Sequence, residues 1–243
     1  MRKILLALSA LFMVAAAPKH QPIVLDTHNT LTLFGEVNEG MVEHVANTLP
    51  KLGPTIYVNL VSPGGSIIAG KRIIDQLTAA SNAGKKVVCI PHFAISMAFV
   101  ILQSSACPVR LGLPSSVLMQ HQPSLVIEGP FHNAVNQLEA FRVEVVELEK
   151  MQAERLKMPL HEFVARTAFD MWLNSGQQAL AFKAIDSVGT VICSPALLKR
   201  KRVDEVQGPF GMTFKIESND CPYVLRQKLV LPEKKDSKFE VRF

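Results

Sequence analysis

Ser96, in PHFAISMAFV, lies between a strand-like run, KKVVCIP, and a helix-like run, SMAFVILQSSA. A serine at such a handover is a packing residue, a helix cap or a nucleophile. The nucleophile reading has a physical basis. The turn projects the hydroxyl, and the N–H groups that open the helix offer donors to a developing oxyanion. The G-x-S-x-G elbow is absent, because Ala94 and Ile95 precede Ser96 and Met97 and Ala98 follow it. Read locally, a serine at a helix start is an N-cap. Two other groups occupy comparable places. SPGGS interrupts the β-branched run TIYVNLV, and Gly64 and Gly65 permit positive φ and close backbone approach. That segment serves either as a tight turn or as an anion site at the start of the next helix. His121 ends the strand-like SSVLMQH, where it is structural or catalytic. In parallel α/β folds the C-terminal ends of strands share one edge, and ligands bind there. A Gly-Gly turn, a serine and a histidine, each just past a strand, therefore outline an acyl-transfer site.

The elements that must position these residues follow from periodicity. PIVLDTHNTLTLFGEV reads as strands broken by turn residues. NEGMVEHVANTLPKL and IIAGKRIIDQLTAAS carry apolar residues at helical spacing, while TIYVNLV reads as a strand buried on both faces and KKVVCIP as a further strand. VRLGL and SSVLMQH are further strands. The alternation implies an α/β fold with a mainly parallel sheet. Over 132–156, Val135, Leu138, Phe141, Val145, Leu148 and Met151 recur every three or four residues, which predicts one long amphipathic helix. It either packs on its own domain or builds an oligomer contact. PLHEFVARTAFDMWLNSGQQALAFKAIDSVGTVI reads as short helices and a final strand. Beyond residue 193 the pattern weakens to a tail with one or two strands, TFKIE and YVLRQKLVL.

The 243 residues, 48% hydrophobic and 19% charged, suit a folded domain rather than a disordered chain. The net charge of +5 resides largely in terminal runs such as Lys199–Arg202. With two Tyr and one Trp the chain offers no base-stacking platform, so no nucleic-acid partner is expected. The phosphate-loop pattern is missing and Cys89, Cys107, Cys193 and Cys221 lack C-x-x-C spacing, so neither a cofactor nor a metal is expected. Met1-Arg2-Lys3, the apolar ILLALSALFMV and Ala15-Ala16-Ala17 have the layout of a secretory signal peptide, with cleavage expected after Ala16. The apolar stretch is shorter than the roughly 20 residues of a membrane span, so no stable anchor is expected after cleavage. In an exported, periplasmic protein the four cysteines can form up to two disulfides, in any of three pairings.

Taken in order, IYVNLVSPGGSIIAGKRIIDQL, AISMAFVILQSSA, LPSSVLMQHQP and LNSGQQALAFKAIDSVG resemble the proteolytic subunit of the Clp protease, of the Clp/crotonase-type fold, over about residues 33–192. The resemblance implies repeated β-β-α units with the long helix as a handle between subunits, and a homo-oligomeric ring. It also implies serine-peptidase chemistry on peptides or unfolded polypeptides. Ser96 would be the nucleophile and His121 the base, with Met97 and the Gly64–Gly65 turn as the oxyanion hole. The implied organisation is a signal peptide at 1–16, a Clp-protease-like domain at 22–193 and a C-terminal extension at 194–243.

The chain departs from the family pattern in three places. Ungapped alignment sets Arg166 where the family has its triad Asp, beside Thr167, and leaves Asp170 at a second acid position. A cation against the imidazole opposes formation of imidazolium. Three outcomes are open: Asp170 takes the role, a Ser–His dyad works slowly, or the chain is a non-hydrolytic scaffold. His92 and Ala98 replace small glycines near the nucleophile. Export would also separate the protein from ATP and from the unfoldase partners of the family, which implies ATP independence and leaves the extension available to replace the partner's function, for example by covering the axial pore or the substrate entrance. An acyl-CoA enzyme of the wider crotonase group is disfavoured by the Ser-Met and H-Q-P segments.

Overall fold

A computed structural model describes residues 21–207, 213–222 and 228–230. The signal-like segment at 1–16 and the end of the chain lie outside the described residues.

The chain begins with β1 (Ile23–Leu25), β2 (Thr30–Phe34), α1 (Glu39–Thr48) and β3 (Thr55–Ser62). Next come α2 (Ile67–Asn82), β4 (Lys86–Ile95), α3 (Met97–Gln103), β5 (Val109–Gly112) and β6 (Val117–Gln120). The long helix α4 (Phe131–Arg155) precedes α5 (Leu160–Thr167), β7 (Met171–Leu173) and α6 (Gly176–Ala181). Two short strands, β8 (Ser187–Val188) and β9 (Val191–Cys193), end the main body, and β9 pairs with β1. The helices and strands read from periodicity within 22–193 all appear. Two strands not anticipated within the helical reading of 159–192 are β7 and β8, whose three and two residues are too few to show a period.

β2, β3, β4, β5 and β8 form a parallel sheet in that order, and β6 joins it by pairing with the far end of β4. β4 thus serves two partners: Val88 and Cys89 face β5, whereas Phe93–Ile95 face β6. A register break makes this possible. Leu60 pairs with Pro91 and Val61 with Phe93, so His92 is an extra residue, a bulge next to a proline that has no N–H for the ladder. The bulge bends the end of β4 toward β6 and delivers Ser96 beside the strand that carries His121.

The core lies between the sheet and helices α1–α3. All seven residues of α3 are buried, from Met97 to Gln103, as expected for a helix that is apolar on all sides. Each fully buried large aliphatic or aromatic side chain contributes roughly 1.5–3 kcal/mol. Both ends of α3 are tied to β4: Ser96 follows it directly, and Cys107, just past the helix, forms a disulfide with Cys89. Of the three open pairings the chain adopts Cys89–Cys107 and Cys193–Cys221. The second bond fastens the C-terminal segment to the end of β9. That segment contains α7 (Pro195–Lys199) and an antiparallel sheet of β10 (Lys201–Gln207), β11 (Thr213–Asn219) and β12 (Lys228–Val230). The TFKIE expectation matches β11, and β12 lies within YVLRQKLVL. The basic run ends α7 and starts β10, and Lys199 and Lys201 in it are exposed. Arg200 there pairs with Asp220 and donates to Thr27 O at 3.2 Å.

His92 is a structural residue. Its Nε2 lies 3.1 Å from Asn59 Oδ1 on β3, and burial pushes the imidazole down to about 4. The unfolded chain, with a value near 6.5, takes up the proton first. The stabilisation is therefore complete above pH 6.5 and is lost as the pH falls toward 4. Urea-unfolding free energies at pH 7 and pH 4.5 should show a smaller acid loss for His92→Gln than for the natural chain. Equal losses would remove His92 from the acid response.

Candidate active site

The site is assembled from the ends of three strands. Ser96 follows β4 in a conformation that L-residues rarely adopt, φ 53° and ψ −120°. Its N–H donates to Met119 O on β6 at 2.9 Å. Ser96 occupies the N-cap position of α3, yet its side chain makes no capping hydrogen bond. Instead Oγ lies 3.0 Å from His121 Nε2. The helix-cap reading of Ser96 is therefore corrected: the turn aims the hydroxyl away from the helix and at the imidazole.

The Gly-Gly turn lies against this serine. Gly64 has φ 93°, and a Cβ there would lie 2.7 Å from Ser96 Cβ and 2.9 Å from Met97 N. Gly65 has φ 143°. Any side chain at position 64 would displace the Ser96 turn, so the glycine is required by proximity as well as by φ. The N–H of Gly64 is already donated to Ser62 Oγ at 3.1 Å. Gly65 and Met97, by contrast, line the same cavity as Ser96 and His121. Met97 opens α3, where a helix leaves its first N–H groups without intrahelical acceptors.

On the other side of the ring, His121 Nδ1 lies 3.5 Å from Asp170 Oδ1. That is an ion-pair separation, longer than the 2.7–3.2 Å of an N–H···O hydrogen bond. Arg166 is not in the site. Its guanidinium pairs with Glu162 one turn earlier, at 2.8 Å, and lies over the Phe182 ring at 5.2 Å from the centroid. The repulsive contact with His121 raised by the alignment does not occur. α5 ends at Thr167, and Asp170 stands just before β7, which pairs antiparallel with β6. That pairing brings the acid to the histidine.

Gln122 was not singled out by the sequence reading, and Thr167 was named there only for its place in the alignment. Gln122 N–H donates to Thr167 O at 3.0 Å, and Gln122 Nε2 donates to Thr167 Oγ1 at 2.9 Å. These bonds fasten the residue after His121 to the end of α5, three residues before Asp170. The Gln next to the His in H-Q-P was the available signal, but its partner is 45 residues away. His92 and Ala98, expected near the nucleophile from the resemblance, do not line the cavity. Ala98 is fully buried in α3.

Comparison with known proteins agrees with this geometry. The Clp protease family model matches residues 21–191. The chain is 30% identical over 166 residues to the ATP-dependent Clp protease proteolytic subunit 3 of Rhodococcus jostii strain RHA1, covering 65% of this chain and 80% of that protein. It is 28% identical over 163 residues to proteolytic subunit 2 of Pseudomonas aeruginosa strain PAO1, covering 63% of this chain and 77% of that one. Proteolytic subunit 2 of the same Rhodococcus strain is 30% identical over 143 residues, with 57% and 69% covered. Family model, relatives and α/β architecture concur, and the family is one of serine peptidases: the chain belongs to the Clp protease family.

Proposed function

We propose that this protein is an exported, ATP-independent serine peptidase that acts on peptides or unfolded polypeptides as a homo-oligomer. One observation carries the reading: Ser96 is held at positive φ with Oγ 3.0 Å from His121 Nε2. In the proposed mechanism Oγ attacks the scissile carbonyl carbon while Nε2 takes its proton. The carbonyl π electrons move to oxygen, and the N–H groups of Met97 and Gly65 stabilise the resulting oxyanion. Gly64 allows the close approach but has committed its own N–H to Ser62. Collapse breaks the C–N bond, and His121 returns the proton to the leaving amine. Water then attacks the acyl-enzyme, with His121 again as base, and frees the acid and Ser96. Asp170 holds the Nδ1–H tautomer and stabilises imidazolium. Its 3.5 Å separation shortens as substrate excludes water.

Export rests on the basic-apolar-small layout of residues 1–17 and on two disulfides, which persist in oxidising compartments. Outside the cytoplasm ATP is absent, which is the basis for ATP independence. The oligomer rests on α4. At 1.5 Å per residue it is about 37 Å long, and among its residues only Gln152 and Ala153 are buried. Phe131 and Leu138 are 75% and 49% exposed, an apolar face of the kind that partner subunits cover. A second reading, a scaffold without turnover, is favoured by the long, half-exposed His121–Asp170 contact and by Arg166 at the family's acid position.

Purified protein should hydrolyse a dye-labelled unfolded protein without ATP, and a fluorophosphonate should label Ser96. Ser96→Ala should abolish both. Asp170→Asn should lower kcat by a factor of up to about 10⁴, whereas Arg166→Ala should change it little. A folded protein with unlabelled Ser96 supports the scaffold instead. Mass spectrometry of unreduced protein from a periplasmic extract should find the N-terminus at Ala17 and both disulfides intact. A chain retained in the cytoplasm with residues 1–16 attached contradicts export. Light scattering should show an oligomer that Phe131→Asp with Leu138→Asp dissociates, and a monomeric natural protein would dismiss the role given to α4.

A further inference from the structure

The cavity beside Ser96 has a volume of about 120 Å³. Sites for drug-sized ligands occupy about 300–1,000 Å³, so this one suits a single side chain. It adjoins both the nucleophile and Met97. The side chain that enters it is therefore that of the residue whose carbonyl Ser96 attacks, the acyl-side residue P1.

The lining separates into two kinds of surface. Val100, Val145, Leu148 and Phe163 give apolar walls. The polar contributions from the helix and strand behind them include Gln120, Glu149 and Gln152. Gln152 is 1% exposed, and its Nε2 donates to Leu148 O at 2.9 Å. A carbonyl can only accept, so the amide orientation is fixed and Oε1 is the remaining atom. That Oε1 is buried without a hydrogen-bond partner, as is Gln120 Oε1. Glu149 has no ion-pair partner among the described residues, and Lys71 and Arg142 are engaged by Glu144 and Glu139. No lysine or arginine lines the cavity. Unpaired acceptors and one carboxylate in a partly closed space favour a cationic donor. They penalise an aliphatic group, which leaves them unpaired, and an acidic one, which they repel.

We infer that this cavity is the P1 specificity site and that it selects lysine or arginine, resting on the peptidase reading above. The alkyl stem packs on Val100, Val145, Leu148 and Phe163. The charged end donates to Glu149 at the cavity wall, in the manner of cationic side chains that bury their stems.

Two kinds of probe separate this inference from the peptidase reading. A simple alkyl fluorophosphonate tests the nucleophile alone, and no labelling of Ser96 overturns both. Aryl phosphonate esters that mimic lysine and leucine at P1 then test selectivity by their labelling rates, without requiring turnover. The lysine-like ester should label Ser96 at least about tenfold faster than the leucine-like one. Glu149→Gln should reduce that ratio several-fold. Labelling by the fluorophosphonate with the leucine-like ester equal or faster overturns the selectivity and leaves the peptidase standing. The ratio in the natural chain decides the matter even if the Glu149 variant fails to fold.

Discussion

The site depends on one constrained residue. Ser96 is held at φ 53°, a conformation that costs roughly 1–3 kcal/mol for a residue with a side chain. The surroundings leave it no alternative. β4 arrives bent by the His92 bulge, Met119 O holds the Ser96 N–H, and Gly64 closes the space where the turn could relax. Beyond it α3 is completely buried, and the Cys89–Cys107 disulfide returns its far end to β4. Burial of Phe99, Ile101 and Leu102 alone outweighs the local strain. The serine that could have capped the helix is turned outward toward His121.

The acid partner is governed by a different constraint. Position 166 lies on the last turn of α5 and faces Glu162 and Phe182. Position 170 follows that helix, at the entry to β7. Because β7 pairs antiparallel with β6, the strand that ends at His121, residue 170 meets the imidazole although residue 166 does not. Gln122 reinforces the arrangement by bonding twice to Thr167. The side chain that meets His121 is thus the Asp170 carboxyl, while Arg166 is engaged by Glu162.

The periphery carries the features that separate this chain from a minimal version of its fold. α4 stands largely clear of the body and presents Phe131, Val135 and Leu138 to its surroundings. The C-terminal segment is joined to β9 by Cys193–Cys221 and to the main body by the contact of Arg200 with Thr27 O. Leu197 of α7 adds an apolar attachment, fully buried in a cluster with Leu25, Val88, Ile90, Leu113 and Val191.

Much of the fold was legible in the residues. TIYVNLV and KKVVCIP are strands because β-branched runs suit positions buried on both faces of a parallel sheet, and the period over 132–156 gave α4 almost to the residue. Ser96, His121 and the Gly-Gly turn could be found because each follows a strand, and strand ends converge on one edge. The sequence left three matters open: the cysteine pairing, whether Ser96 caps a helix, and whether Arg166 or Asp170 meets His121. Each depends on distances between segments far apart in the chain. A pairing across 18 residues, a hydroxyl direction set by one φ angle and an acid placed by a three-residue strand leave no periodic trace. Residue type and spacing determine which elements form. Only the packing of those elements decides which polar atoms come within reach of one another.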